Sequence, residues 1–154
     1  MIDVELPLEG GCLCGAVRYE LRAAPYLVYV CHCLDCRRQS GAAYGMSMPA
    51  AKKDFALVQG EPAAYPRVLP SGRRSTVRFC AVCACRVYAE SATDFVAVRP
   101  GTLDDTTWLR PAAELWARRA LPWARVDGVV SHDEEAPDLR EVARLWRAQG
   151  VRFV

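Results

Sequence analysis

Short runs rich in Val, Leu, Tyr and Phe, set off by Gly or Pro, recur along most of the chain, at residues 15–22, 26–30, 44–48, 56–59, 75–79, 87–90 and 95–99. Runs of this length and composition read as β-strands. Gly60-Glu61-Pro62, Pro70-Ser71-Gly72 and Pro100-Gly101 mark turns between them. Consecutive strands with little helical sequence between them predict a mainly β fold of small antiparallel sheets. The end of the chain breaks the pattern. Between residues 138 and 149, Leu139, Val142, Leu145 and Trp146 recur at helical spacing, Asp138 with Glu141 suits a capping box, and Gly150 suits a C-terminal cap. One amphipathic helix that packs Trp146 on the sheet is expected there. Asp133-Glu134-Glu135 before it reads as a solvated loop, Asp104 and Asp105 as residues that order a turn, and Trp108, Trp116 and Trp123 as core.

The composition leaves this picture intact. With 154 residues, 52% apolar and 25% charged, the chain has the make-up of a globular protein, and its length predicts one domain over residues 1–154. Basic residues exceed acidic ones only enough for a net charge of +2, and they are scattered, which disfavours nucleic acid as a partner. No apolar run approaches the roughly 20 residues that span a bilayer. Residues 1–9 carry Asp3 and Glu5 in place of a secretory signal's cationic segment. A cytoplasmic protein without membrane contact is expected, and nothing in the pattern fixes an oligomeric state.

Eight cysteines change the picture. In a reducing compartment, clustered thiols point to metal or redox chemistry before a disulfide framework. Seven of them fall into sets at ligand spacing: Cys12 and Cys14; Cys31, Cys33 and Cys36; Cys80 and Cys83. Zinc takes four soft ligands in a tetrahedron, and a turn that carries two cysteines one or two residues apart supplies two of them. Cys12, Cys14, Cys80 and Cys83 are therefore expected to close a structural zinc site joining distant parts of the chain. Cys31, Cys33 and Cys36 offer three ligands, the number found at catalytic zinc with an open position. Water, His32, Cys85 or a thiol substrate are the candidates for the fourth. Extended backbone across Cys31–Cys33 would turn His32 away from that metal. A Cys33/Cys36 dithiol couple is the competing redox reading.

The chain resembles the glutathione-dependent formaldehyde-activating enzyme family, which includes centromere protein V. The segments that carry the resemblance are residues 10–19 (GGCLCGAVRY), 31–38 (CHCLDCRR), 79–83 (FCAVC), 101–105 (GTLDD) and 121–123 (LPW), in the family's order. The resemblance covers a core of about residues 8–125. It implies a structural zinc on Cys12, Cys14, Cys80 and Cys83 and a catalytic one on Cys31, Cys33 and Cys36. It also implies a carbon–sulfur lyase that combines the small-molecule substrates glutathione, a thiol, and formaldehyde, an aldehyde, as in S-(hydroxymethyl)glutathione synthase. Arg37 and Arg38 are candidates for the carboxylates of a glutathione-like thiol, since guanidinium matches carboxylate bidentately. A non-catalytic zinc-bound β domain that binds protein or nucleic acid is the alternative from another class. Two departures stand out: Ala84 and Cys85 replace the family's glycine and small residue after Cys83, and Glu114-Leu115-Trp116 carries no histidine where many members have one. Cys85 is expected to be buried.

Overall fold

The expected strands form, together with others that the apolar runs did not mark. The computed structural model describes residues 1–69 and 71–154. Its strands are β1 (Ile2–Val4), β2 (Leu8–Gly11), β3 (Arg18–Leu21), β4 (Tyr29–Cys31), β5 (Gly45–Ala51), β6 (Phe55–Gln59), β7 (Ala63–Val68), β8 (Arg74–Phe79), β9 (Arg86–Glu90), β10 (Phe95–Val98), β11 (Ala113–Leu115), β12 (Val130–Ser131) and β13 (Val151–Phe153). Two α-helices accompany them, α1 (Leu34–Ser40) and α2 (Leu139–Arg147). Pro70, part of one expected turn, lies outside the described residues; Gly72 beside it has a positive φ of 81°.

The strands make an eight-stranded sheet in the order β12-β11-β4-β5-β10-β9-β8-β7, a three-stranded sheet β2-β3-β6 and a ribbon of β1 with β13. Pairing is antiparallel from β4 through to β7 and within the three-stranded sheet. The fold is thus mainly β, with three parallel pairs in addition: β11 with β4, β11 with β12, and β1 with β13. Strand β11 escapes a search for alternation because Ala113, Glu114 and Leu115 are all buried. Continuous burial is usual for an interior parallel strand.

Where one face is solvated, alternation holds. In β3, Tyr19 and Leu21 are buried while Arg18 and Glu20 are half-buried. Aromatic contacts carry the core from sheet to sheet. Tyr19 of β3 stacks on Phe55 of β6 at 5.3 Å between ring centroids, and Phe55 meets Tyr88 of β9 at 4.7 Å. The ribbon is held separately: Phe153 lies 5.3 Å from Trp108 and 5.9 Å from Trp146.

Helix α2 forms as the periodicity predicts, but its contacts differ in three ways. Asp138 caps it by accepting from the Arg140 N–H at 2.8 Å, while Glu141 lies 3.9 Å from Arg144. The helix ends at Arg147 with Ala148 as its cap, so left-handed Gly150 turns the chain into β13. Trp146 packs toward Phe153 of the two-stranded ribbon and donates to the Arg110 carbonyl at 3.0 Å. Helix α1 was not expected. It is seven residues long, has no buried residue, and starts at a cysteine in place of the usual Ser, Thr, Asp or Asn cap. Its one clear signal is Gly41, left-handed at φ 63°, which ends it.

Trp146 is almost fully buried and hydrogen-bonded. Trp146→Ala is expected to lower stability by about 3–5 kcal/mol, read from urea or guanidinium unfolding, and to leave the cysteine groups assembled.

Candidate metal centres

The turn between β2 and β3 carries Cys12 and Cys14, and the turn between β8 and β9 carries Cys80 and Cys83. These hairpins belong to different sheets. The two turns share one design. The Cys12 N–H donates to the Val17 carbonyl at 3.0 Å and the Cys80 N–H to the Cys85 carbonyl at 2.9 Å, five residues on in each case. The residue after the second cysteine is left-handed in both, Gly15 at φ 78° and Ala84 at φ 60°. Each turn thereby points two sulfurs the same way. The four Sγ atoms lie within 4.8 Å of one another. Cys14 Sγ is 3.6 Å from Cys12 Sγ and 3.7 Å from Cys80 Sγ. Zn–S bonds of about 2.3 Å in a tetrahedron place sulfurs about 3.8 Å apart, so the donor set fits zinc in both softness and spacing.

The thiols already share protons unevenly. Burial raises Cys12, but the Val17 N–H at 3.2 Å and the neighbouring thiols outweigh it and bring it down to about 6. The Ala16 N–H lowers Cys14, yet desolvation and donation to its neighbours push it up to about 12. Cys83 is lowered as well, chiefly by backbone N–H donation, so the thiolate form is favoured unevenly across the group, and a cation would take all four sulfurs as thiolates.

The second group is Cys31, Cys33 and Cys36, whose sulfurs also lie within 4.8 Å of one another. Cys31 ends β4, Cys33 caps α1 and Cys36 sits in its first turn. The Cys36 N–H donates to Cys33 Sγ at 3.4 Å. Cys31 and Cys36 lower Cys33 against the effect of burial, and the same contacts raise Cys31. Gly45, paired with Cys31 across β4–β5, leaves the room this needs: a Cβ there would meet Cys36 Cβ at 3.1 Å. Among the described residues, no fourth cysteine, histidine or carboxylate joins the group.

His32, between the ligands, points the other way. It is fully buried, and its Nε2 lies 3.0 Å from Glu114 Oε2 on β11. A carboxylate only accepts, so Nε2 carries the proton. Arg125 Nε donates to Glu114 Oε1 at 2.7 Å and the Val126 N–H to Oε2 at 3.2 Å. Burial works to raise Glu114, but Arg125, the Val126 N–H and His32 together hold it down to about 2. The carboxylate is therefore ionised behind the Cys31–Cys33 turn. The same turn is pinned by its backbone, with the His32 N–H on the Leu115 carbonyl at 2.9 Å.

Residues 7–119 match the family model described as glutathione-dependent formaldehyde-activating enzyme, a span that includes both cysteine groups. The chain belongs to that family. The match supports a formaldehyde-activating, glutathione-related function at the level of the family. No curated protein is similar enough to match. Among solved structures, the crystal structure of a Rhodobacter sphaeroides protein is 20% identical, with a TM-score of 0.51 over 81% of this chain and 99% of that one. That likeness concerns the fold. No helix of the chain's described residues is long and apolar enough to cross a membrane.

The other candidate residues are scattered. Arg37 is half-buried and Arg38 exposed, both in the last turn of α1. Arg38 lines a groove of about 840 Å³ between α1 and the β7–β8 hairpin, together with Asp35, Arg67 and Arg74. Asp104 pairs with Arg18, and Asp105 accepts from the N–H and hydroxyl of Thr107, as turn-ordering residues do. Trp108 is core, Trp116 is half-buried under Arg118, and Trp123 is 78% exposed, contrary to its assignment as core. A short 3-10 turn over Pro122–Ala124 leaves the Trp123 ring outside. Cys85 is half-buried, and its thiol is raised chiefly by desolvation. The Glu114–Arg125 pair was missed; the sequence signal available was an acidic residue in an otherwise apolar run, Ala112 to Leu115.

Two outcomes are expected. Ala84 holds a left-handed conformation that disfavours a side chain by about 1 kcal/mol. Ala84→Gly should raise stability by about 0.5 kcal/mol, after glycine's extra unfolded-state entropy, as measured by denaturant midpoint. Glu114→Ala leaves buried His32 unpaired while half-exposed Arg125 re-solvates. It should lower stability by about 3 kcal/mol, the low end for a broken buried pair, and weaken metal retention at the Cys31 group.

Proposed function

We propose that the chain is a zinc-dependent carbon–sulfur lyase that joins a glutathione-like thiol to a small aldehyde such as formaldehyde, or runs the reverse cleavage, at Cys31, Cys33 and Cys36. Cys12, Cys14, Cys80 and Cys83 hold a structural zinc in this reading. The observation that carries it is the difference between the groups: one brings four sulfurs together, the other three, with His32 turned to Glu114. A closed set suits structure and an open set suits exchange of a fourth ligand.

Zinc bound at the open set would favour the thiolate of a substrate thiol and polarise an aldehyde oxygen. The residues of the chain do the rest. Cys31, Cys33 and Cys36 would hold the metal at one place, and partners gathered there would gain proximity. Glu114, through His32, fixes the turn that aims two of those sulfurs. In the reaction, the thiolate sulfur forms a bond to the carbonyl carbon, the carbonyl π pair moves to oxygen, and that oxygen takes a proton to give a hydroxymethyl thioether. The reverse returns the proton and breaks the carbon–sulfur bond. Eight cysteines without a disulfide suit a reducing compartment, in line with the cytoplasm.

The test is Cys36→Ser. The variant should stay folded with the four-cysteine site loaded, lose the second metal equivalent, and accelerate exchange between formaldehyde and glutathione at least about a hundredfold less than the parent, read by NMR against the spontaneous rate. Catalysis at the parent rate by a variant lacking that metal would remove the proposal.

A further inference from the structure

Among the described residues, two half-buried arginines of the large sheet, Arg86 and Arg99, pair with no carboxylate. Arg86 opens β9 and Arg99 follows β10, and both are half-buried. Arg99 Nη1 donates to the Met46 carbonyl at 2.6 Å, whereas the Arg86 side chain makes no hydrogen bond among the described residues. The Nε of each is buried without a partner. Neither forms an ion pair among the described residues, while nearby Arg67 is paired with Asp35 of α1.

Location ties Arg99 to the three-cysteine group directly, and Arg86 lies on the neighbouring strand, where the Arg99 N–H donates to the Val87 carbonyl at 2.9 Å. The position that a Cβ on Gly45 would take lies 3.1 Å from Cys36 Cβ and 3.7 Å from Arg99 Nη1, so the thiol-bearing side chain and the guanidinium flank one spot. Burial lowers both arginines, Arg86 to about 9; the two also repel each other and Arg67, while Cys36 attracts both. Guanidinium does not surrender its proton in proteins, so this arrangement is relieved only by an anion. A zinc ion on three thiolates carries one net negative charge. That offsets one guanidinium and leaves the other free.

We propose that Arg86 and Arg99 form an oxyanion-binding pair beside the three-cysteine centre, which takes a carboxylate of the thiol substrate and selects anionic over neutral thiols. This places carboxylate recognition on β9 and β10, not on Arg37 and Arg38 of α1. The identity of the substrate rests on the proposed reaction; the pair itself does not.

The experiment is calorimetric binding of S-methylglutathione to the zinc-loaded full chain, compared with its dimethyl ester. The methylated sulfur forms no thiolate, so binding reports the carboxylates. The acid is expected to bind at least about ten times more tightly than the ester, and Arg86→Gln or Arg99→Gln to remove most of that difference with zinc content and melting temperature retained. Arg86→Lys keeps the charge and should restore only part of it. Equal binding of acid and ester by the parent chain, or no binding of either, overturns the proposal even if every variant fails to fold. So does a loss of zinc from folded Gln variants with acid binding intact, which would make the arginines mere counter-charges to the metal. Preferential acid binding by a chain that forms no carbon–sulfur bond would leave the pair standing and remove the reaction.

Discussion

Two hairpin tips, one from a three-stranded sheet and one from an eight-stranded sheet, meet where Cys12 and Cys14 face Cys80 and Cys83. No ladder of backbone hydrogen bonds runs between those sheets. Sulfur contacts at the tips and aromatic packing of Tyr19, Phe55 and Tyr88 below them join the two layers. A metal on the four sulfurs would convert this meeting into a crosslink, since structural zinc contributes on the order of 10 kcal/mol, comparable to the net stability of a whole domain.

The second group is built by different means. Strand β4 ends at Cys31 because helix α1 begins three residues later, and the helix start turns Cys33 and Cys36 toward Cys31. Behind the turn, Glu114 lies buried yet ionised between His32 and Arg125. Such a buried charge is expensive unless fully partnered, and here it has three donors. What it achieves is a fixed orientation for His32, directed away from the open ligand position. One group is thereby closed and held by backbone turns, while the other is open and supported by a buried ion pair. This difference is the physical basis for assigning structure to one and chemistry to the other.

Strands β3 to β6 and β8 to β10 were legible from their apolar runs, and α2 from its periodicity, because burial on one face imposes a period on the sequence. The composition of the metal groups was legible too. Ligand spacing within a turn is a local property, so Cys12-x-Cys14, Cys31-x-Cys33 and Cys80-x-x-Cys83 show it directly. Strands β1, β2, β7, β11, β12 and β13 were not read, nor was α1. Their residues are exposed, uniformly buried or too few to show a period. Gly15 announces a left-handed turn by its identity, whereas Ala84 in the equivalent place does not, and only the backbone reveals it.

By itself, then, the sequence determined which residues are fit to hold metal, how they are grouped, and that strands would carry them, since each of these depends on neighbours a few positions apart. Which distant groups meet was decided by tertiary structure. Glu114 reaches His32 because β11 runs parallel to β4, a pairing that brings together residues 82 positions apart. Arg99 comes to lie beside Cys36, with Arg86 on the next strand, through the order of strands in the large sheet. Charge acts through space without regard to chain order, so the polar partners of a site stay hidden until the fold sets their distances.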